Sequence, residues 1–357
     1  MINVTKAYLP DIDQYYQLIK RAWDKSWLTN NGELVQELEN RLKEFLGVKH
    51  LYFCSNGTIA LQIAIKALGI KGEVITTPFS YVATTNAVLW EGCTPVFADI
   101  DPTTFCIDPD KIEASINSNT TAILATHVYG YPCNIEKIEL IARKYKLKLI
   151  YDGAHAFGSQ YSGRSLLSFG DITTCSFHAT KLFHTAEGGC IITNNDETAE
   201  QIRLIRQFGH HYDKYHRPGI NGKNSELHAA IGLCILDDLD KILEDRKRAT
   251  QSYNNLLEGT QLTRKLVGLT SFEYNYAYYP VVFESEEQLL NAVQRLNNEK
   301  IYPRRYFYPS LNTLPFINYT RCSVSEDIAS RALCLPLFYG IDESDINRIC
   351  RHLKMSL

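Results

Sequence analysis

Residues 51–76 read LYFCSNGTIALQIAIKALGIKGEVIT: a short apolar run, a Ser-Asn-Gly-Thr turn, a stretch with helical spacing, and a second apolar run. Leu51 to Cys54 and Gly72 to Thr76 have the length and composition of buried strands, and Thr58 to Ala67 has that of a helix. A strand, a helix and a strand in this order form a parallel crossover unit. The same rhythm runs on from this unit. Tyr81 to Trp90 reads as a helix and Thr94 to Ala98 as a strand. Ala122 to Thr126, Lys148 to Tyr151, Thr173 to Phe177 and Cys190 to Thr193 read as further strands. Such alternation predicts an α/β domain whose mostly parallel sheet is covered by helices on both faces.

Downstream the pattern changes. Ser225 to Leu257 is nearly free of Gly and Pro and predicts one long helix leaving the large domain. Strand signals near Tyr278 to Phe283 and Cys334 to Pro336, with amphipathic segments at Glu286 to Glu299 and Asp342 to Lys354, predict a small α+β domain. The division is therefore a large domain over 1–240 and a small one over 241–357. A chain of 357 residues is long enough for two such cores.

Composition narrows the function classes. The net charge of −3 offers no basic excess for nucleic acid or an acidic membrane surface. No apolar run approaches the roughly 18 residues needed to cross a bilayer, and the opening MINVTKAYLPDIDQYYQ has no apolar segment behind a basic flank. The 10 cysteines are scattered from Cys54 to Cys350 without a CxxC pair, which suits reduced, buried thiols better than a disulfide scaffold or a metal site. A cytoplasmic protein without a structural metal is the expectation.

In parallel sheets, ligands gather where strands end and helices begin. Three motifs fall there. Ser55-Asn56-Gly57-Thr58 places backbone N–H groups at a helix start, where they can bind a phosphate or where Ser55 or Asn56 simply caps the helix. Asp152 ends the strand KLKLIYD and His155 follows in DGAHAFGS, a carboxylate and an imidazole at the sheet edge. Ser176-Phe177-His178-Ala179-Thr180-Lys181 presents a lysine on the turn after a strand, ahead of Glu187-Gly188-Gly189. A lysine forms an imine effectively only when desolvation or nearby cationic charge lowers its pKa; otherwise it is a solvated surface residue. An anion cradle, a carboxylate for a ring nitrogen and an imine-forming lysine are together what pyridoxal phosphate asks of a protein.

These motifs are long, ordered and spread over nearly the whole chain: SWLTNNG at 26–32, TPFSYVATTNAV at 77–88, HVYGYPCN at 127–134, YDGAHAFGS at 151–159, SFHATKLFHTAEGG at 176–189 and GINGKNSELHAAIG at 219–232. In them the sequence resembles the sugar-nucleotide aminotransferases of the DegT/DnrJ/StrS family, which includes antibiotic-sugar and O-antigen biosynthetic enzymes. The resemblance implies the aspartate-aminotransferase type of fold and a homodimer with active sites shared between subunits. It implies that Lys181 carries pyridoxal 5'-phosphate, that Asp152 pairs with the ring nitrogen, and that Gly57, Thr58 and Ser176 meet the phosphate. Tyr81 would stack on the ring, His155 would lie over it, and Asn221 would reach the phosphate of the partner subunit. Thr29, His184 and Tyr308 are the substrate-side candidates. The family's usual GYNYR becomes Gly219-Ile220-Asn221-Gly222-Lys223 here, so a lysine stands where a planar guanidinium is usual.

ATKLFHTAEGG and Arg304-Arg305-Tyr306-Phe307-Tyr308-Pro309 are most similar to family members that aminate dTDP-4-keto-6-deoxyglucose with glutamate. Three readings compete with that one: a 3-keto or UDP-linked keto sugar as acceptor, a dehydratase, and a cofactor-binding regulatory homologue. Dehydratase relatives carry His where Lys181 stands, which argues against the second. The segment Phe208 to Gly219 reads as a polar loop, open to nucleotide contact or merely a solvated connection.

Overall fold

The computed structural model describes residues 1–262 and 271–357. Seven strands build the central sheet: β1 (His50–Cys54), β2 (Glu73–Thr76), β3 (Thr94–Phe97), β4 (Thr120–Thr126), β5 (Lys148–Asp152), β6 (Ile172–Ser176) and β7 (Gly189–Thr193). Their order is β1-β7-β6-β5-β4-β2-β3. β7 runs antiparallel to β1 and β6, and the other neighbours are parallel. This is the α/β architecture with a mostly parallel sheet that the strand-helix rhythm implies.

The strands read as continuous apolar runs because both faces are buried. Alternate residues serve the two faces. Phe53, Ile75, Ile123 and Leu149 join a core that includes Leu34, Leu38 and Leu42, whereas Cys54, Val74, Leu124 and Ile150 join a core with Ala60, Ile63 and Ile202. The helices that matter for the site are α1 (Ile12–Asp24), α2 (Glu33–Leu46), α3 (Gly57–Ala67) and α4 (Val82–Trp90). Because β7 is antiparallel, its first residue lies at the same edge as the last residues of β1 and β6: Gly189 is paired with both Cys54 and Ser176. A Cβ on Gly189 would stand 2.7 Å from the Asn56 carbonyl carbon and 2.8 Å from the Cys175 oxygen, so glycine lets this edge close up.

The predicted single helix over Ser225 to Leu257 is instead two, Glu226–Asp237 and Leu239–Leu257, with Asp238 between them at φ −96° and ψ 2°. The Asp238 carboxylate accepts from the Tyr8 hydroxyl at 2.6 Å and pairs with Lys241. An aspartate is poor inside a helix and favourable at a helix start, so the break falls there. The second of these helices spans two cores. Leu239 and Ile242 pack with the large cluster, and Ala249, Tyr253 and Leu257 with a second cluster that includes Val281, Leu289 and Leu333. Tyr279–Val282 and Ala332–Leu335 pair antiparallel between the two clusters, with Tyr279, Val281, Leu333 and Leu335 in the second and Ala332 and Cys334 in the first. Ile2–Asn3 pairs with Ile301–Tyr302, so the first residues of the chain pack with the C-terminal part. Within 208–219, His210–His211 and Lys214–Tyr215 form a short hairpin. All ten cysteines are buried and unpaired with one another, and no helix among the described residues is long and apolar enough to cross a membrane.

Candidate active site

The turn after β1 starts the site. Asn56 is in extended backbone, and its side-chain oxygen accepts from the Ile59 N–H at 2.9 Å, so it caps α3. Capping leaves donors for an anion here, because the Gly57 and Thr58 N–H groups in the first turn have no intrahelical acceptor. Both residues line a cavity of about 490 Å³ at the carboxyl edge of the sheet. A Cβ on Gly57 would stand 2.9 Å from the Ser176 Cβ, so only glycine lets the turn sit against the end of β6.

Asp152, the last residue of β5, lies on the wall of this cavity and is 5% exposed. One carboxylate oxygen accepts from the Ala154 N–H at 3.0 Å and the other from the Thr84 hydroxyl at 2.7 Å. Burial pushes its pKa above the ordinary carboxylate value, and the Thr84 and Ala154 hydrogen bonds and the Lys181 charge oppose that push. Lys181 leaves the turn after β6, held by its own N–H on the His178 carbonyl at 2.8 Å. Its amine donates to the Tyr278 hydroxyl at 3.3 Å. Desolvation lowers its pKa, and Asp152 works against the decrease. Burial thus acts in the direction that makes a lysine a usable nucleophile.

His155 is buried, and its pKa is pushed well below the ordinary value, first by desolvation and then by Lys181. Its Nδ1 accepts from the Tyr129 N–H at 3.2 Å, so the neutral ring carries its proton on Nε2. The ring stacks on Phe307 with centroids 5.3 Å apart and planes 8° from parallel. Tyr81 and Ser176 also line the cavity. Seven of the residues singled out from the sequence thus meet in one place: Gly57, Thr58, Tyr81, Asp152, His155, Ser176 and Lys181.

Four others do not line that cavity in the same chain. Asn221 is exposed and accepts from the Lys223 amine at 2.7 Å. Thr29 is exposed and does not cap α2, whose first N–H groups are taken by the buried Glu226 carboxylate, at 2.7 Å from the Leu34 nitrogen. Tyr308 is 51% exposed and packs under the Arg305 guanidinium. His184 is 2% exposed, with one ring nitrogen 2.9 Å from the Tyr8 carbonyl and the other accepting from the Ala186 N–H at 3.2 Å. Both of its ring nitrogens are engaged with backbone, and it does not line the cavity.

The C-terminal part adds Tyr278, Arg304, Tyr306 and Phe307 to the cavity. Sequence reading selected Tyr308 from the aromatic run 302–308, but its neighbours Tyr306 and Phe307 are the ones that face the site. The density of aromatics there was the available signal. Which of them turned inward depended on packing against His155 and Tyr129.

A helix start with free N–H donors, a buried carboxylate and a desolvated amine converge here. Residues 11–354 match the model of the DegT/DnrJ/EryC1/StrS aminotransferase family. The chain belongs to that family. Over 94% of both chains it is 42% identical to a dTDP-4-amino-4,6-dideoxy-D-glucose transaminase from Shigella dysenteriae. An Escherichia coli transaminase of the same description is 38% identical, over 99% of this chain and 98% of the relative. The crystal structure of DesI in the presence of its TDP-sugar product superposes with a TM-score of 0.93 at 32% identity, covering 99% of this chain and 92% of that one. As a member of the DegT/DnrJ/EryC1/StrS family this protein is an aminotransferase, and its sugar-aminotransferase neighbours share the fold seen here.

Proposed function

We propose that this protein transfers an amino group from glutamate to a nucleotide-linked 4-keto-6-deoxy sugar, using pyridoxal 5'-phosphate. The acceptor we assign is dTDP-4-keto-6-deoxyglucose, giving dTDP-4-amino-4,6-dideoxyglucose. The observation that carries the chemistry is the meeting of Lys181, Asp152 and the Gly57-Thr58 turn in one cavity. The substrate rests on the Shigella dysenteriae and Escherichia coli relatives, both of which are transaminases for that sugar.

The cofactor fits what is present. Orphan N–H groups at the start of α3 and the Ser176 hydroxyl suit its phosphate, Asp152 suits its ring nitrogen, and Tyr81 and His155 suit its ring. When bound, pyridoxal phosphate supplies an electron sink that stabilises negative charge on the carbon being aminated or deaminated. Lys181, its pKa lowered by burial, takes up and returns the proton at that carbon. Asp152 keeps a positive charge at the ring nitrogen. His155, neutral and protonated on Nε2, offers a donor and no added charge.

Glutamate and the keto sugar use the same groups in turn, so the kinetics are ping-pong. The exposure of Tyr81 on the cavity wall supports a site open enough for a small diacid and a sugar nucleotide to enter in turn. We further propose a homodimer in which Asn221, exposed and outside its own cavity, completes the phosphate site of the partner. Exposed Thr29 and Tyr308 stand as sugar-side contacts, and we divide a cofactor domain from a smaller domain near residue 240, with Phe307, Ile328 and Cys334 packing back into the larger cluster and Ile2 into the smaller one. The ten unpaired thiols suit the reducing cytoplasm.

The test is incubation with glutamate and a panel of dTDP- and UDP-linked keto sugars, followed by mass spectrometry and NMR of the product. A C-4 amino group on the dTDP sugar is expected. An amino group at C-3, or a preference for UDP sugars, would overturn the substrate and leave the reaction class standing.

A further inference from the structure

Beside Asp152, starting at the cavity wall, runs a line of buried hydroxyls that the reaction as described leaves unused. Thr84, in the first turn of α4, is 0% exposed, Ser80 is 2% and Thr126, at the end of β4, is 1%. Thr84 Oγ1 lies 2.7 Å from Asp152 Oδ2, Ser80 Oγ lies 2.8 Å from Thr84 Oγ1, and Thr126 Oγ1 lies 3.2 Å from Ser80 Oγ.

An ionised carboxylate can only accept, so Thr84 must donate to it. Having spent its one proton there, the Thr84 hydroxyl must accept from Ser80. Ser80 in turn accepts from Thr126. The charge on Asp152 thus sets the direction of the whole line, and the line favours that charge. Such chains polarise cooperatively in a low-dielectric interior. Asp152 receives one hydrogen bond on each oxygen, from Thr84 and from the Ala154 N–H, which leaves a lone pair on each for another donor.

The groups facing Asp152 from other elements do not replace this support. Lys181 is the cation opposite it. The Cys175 thiol and the Tyr278 phenol are both pushed up by burial and stay neutral, and His155 is held neutral.

We propose that Thr126, Ser80 and Thr84 form a one-way hydroxyl relay that holds the Asp152 carboxylate anionic and fixed in orientation, making Thr84 a positioning residue for recognition of the ring nitrogen. This rests on the pyridoxal-phosphate reading above and adds residues to it. Ser80 precedes the N-cap Tyr81 and Thr84 lies in the first turn of α4, so the entry of the chain into the helix brings the two hydroxyls together. Ser80 and Thr84 both line the cavity beside Asp152, and the proton of each hydroxyl is committed to this line.

The test is equilibrium binding to cofactor-free protein of two ligands, pyridoxal 5'-phosphate and its carbocyclic analogue with CH in place of the ring nitrogen. The ratio of the two dissociation constants isolates the ring nitrogen from the phosphate. Wild type should prefer the natural cofactor. Thr84→Val, which keeps the shape and removes the donor, should shrink the preference about tenfold, the size of one hydrogen bond to a charged group. Thr84→Ser should retain it, and Ser80→Ala should shrink it by less than Thr84→Val.

Equal weakening of both ligands by Thr84→Val would assign Thr84 to structure alone and overturn the relay, as would an unchanged ratio. Should Thr84→Val not fold, Ser80→Ala decides by the same ratio. Wild type that bound both ligands equally would overturn the relay alone, whereas wild type that bound neither would overturn the cofactor reading with it.

Discussion

The Lys181 amine donates to the Tyr278 hydroxyl at 3.3 Å, joining the turn after β6 to a segment 97 residues further along the chain. The partner is neutral, since burial holds the Tyr278 phenol well above its ordinary pKa. Lys181 therefore gains a hydrogen bond without gaining a counter-ion, and its lowered pKa is preserved. Lys181→Ala should lose turnover by on the order of 10² to 10⁴, the range for a removed general acid–base group. Tyr278→Phe should lose about tenfold, the scale of one hydrogen bond to a charged group. Borohydride treatment of the loaded wild type should leave cofactor mass on the peptide containing Lys181, and none on that peptide in Lys181→Ala. Wild-type turnover by Lys181→Ala would sink its assignment.

Asp152→Asn tests the opposite end of the cavity. Asparagine fits the same space and keeps the oxygen that accepts from Ala154 or Thr84, so the fold should persist. A neutral partner no longer favours a positive ring nitrogen. Loss of a charge pairing in a water-poor site is worth several kcal/mol, or roughly 10² to 10⁴ in rate. Circular dichroism and single-turnover rates separate the two effects. An unchanged rate in a folded variant would reduce Asp152 to a turn-forming residue.

How far the sequence disclosed these positions depends on how each is placed. Asp152 and Gly57 sit directly at a strand end and a helix start, and Lys181 lies in the turn five residues past a strand end; strand ends are visible as the close of an apolar run followed by small residues. The strands themselves were legible within one or two residues because both of their faces are buried. The break at Asp238 was not legible from aspartate preference alone, since Asp237 and Asp240 on either side are helical; what singles out Asp238 is its bond from Tyr8, 230 residues away in sequence. Tyr278 and Thr84 were missed for the same reason. Their roles come from contacts with residues 97 and 68 positions distant, and no local period marks them. His184 shows the converse. It follows Lys181 closely in the motif, yet the turn between them buries it against Tyr8 and Ala186.

Asn221 provides a test of subunit sharing. It lies outside the cavity of its own chain and is exposed. Mixing a Lys181→Ala protomer with an Asn221→Ala protomer should restore part of the activity. In the mixed dimer, shared sites place both lesions in one site and leave the other intact. With verified subunit exchange, the absence of recovery would place Asn221 within its own subunit's site.

The last prediction concerns stability in acid. His127 is 0% exposed, its ring stacks on Tyr151 at 4.6 Å, and its Nδ1 accepts from the Cys133 N–H at 3.1 Å. Burial lowers its pKa from 6.5 to about 3. The sign follows from proton counting. Between those two values the unfolded chain holds a proton on this ring and the folded chain does not, so acid favours unfolding. The stabilisation is complete above the upper value and is lost as pH falls towards the lower one, with a slope of about 1.4 kcal/mol per pH unit from this residue alone. His127→Phe keeps a ring against Tyr151 and removes the titration. It also orphans the Cys133 N–H, a loss of about 1–3 kcal/mol near neutrality. Urea unfolding at fixed protein and cofactor concentration, stepped from about pH 7 to 4, should show the variant less stable at the start and less sensitive to acid. His155 titrates in both proteins and so cancels from the comparison. Parallel curves for the two proteins would show that His127 already carries its proton in the folded state.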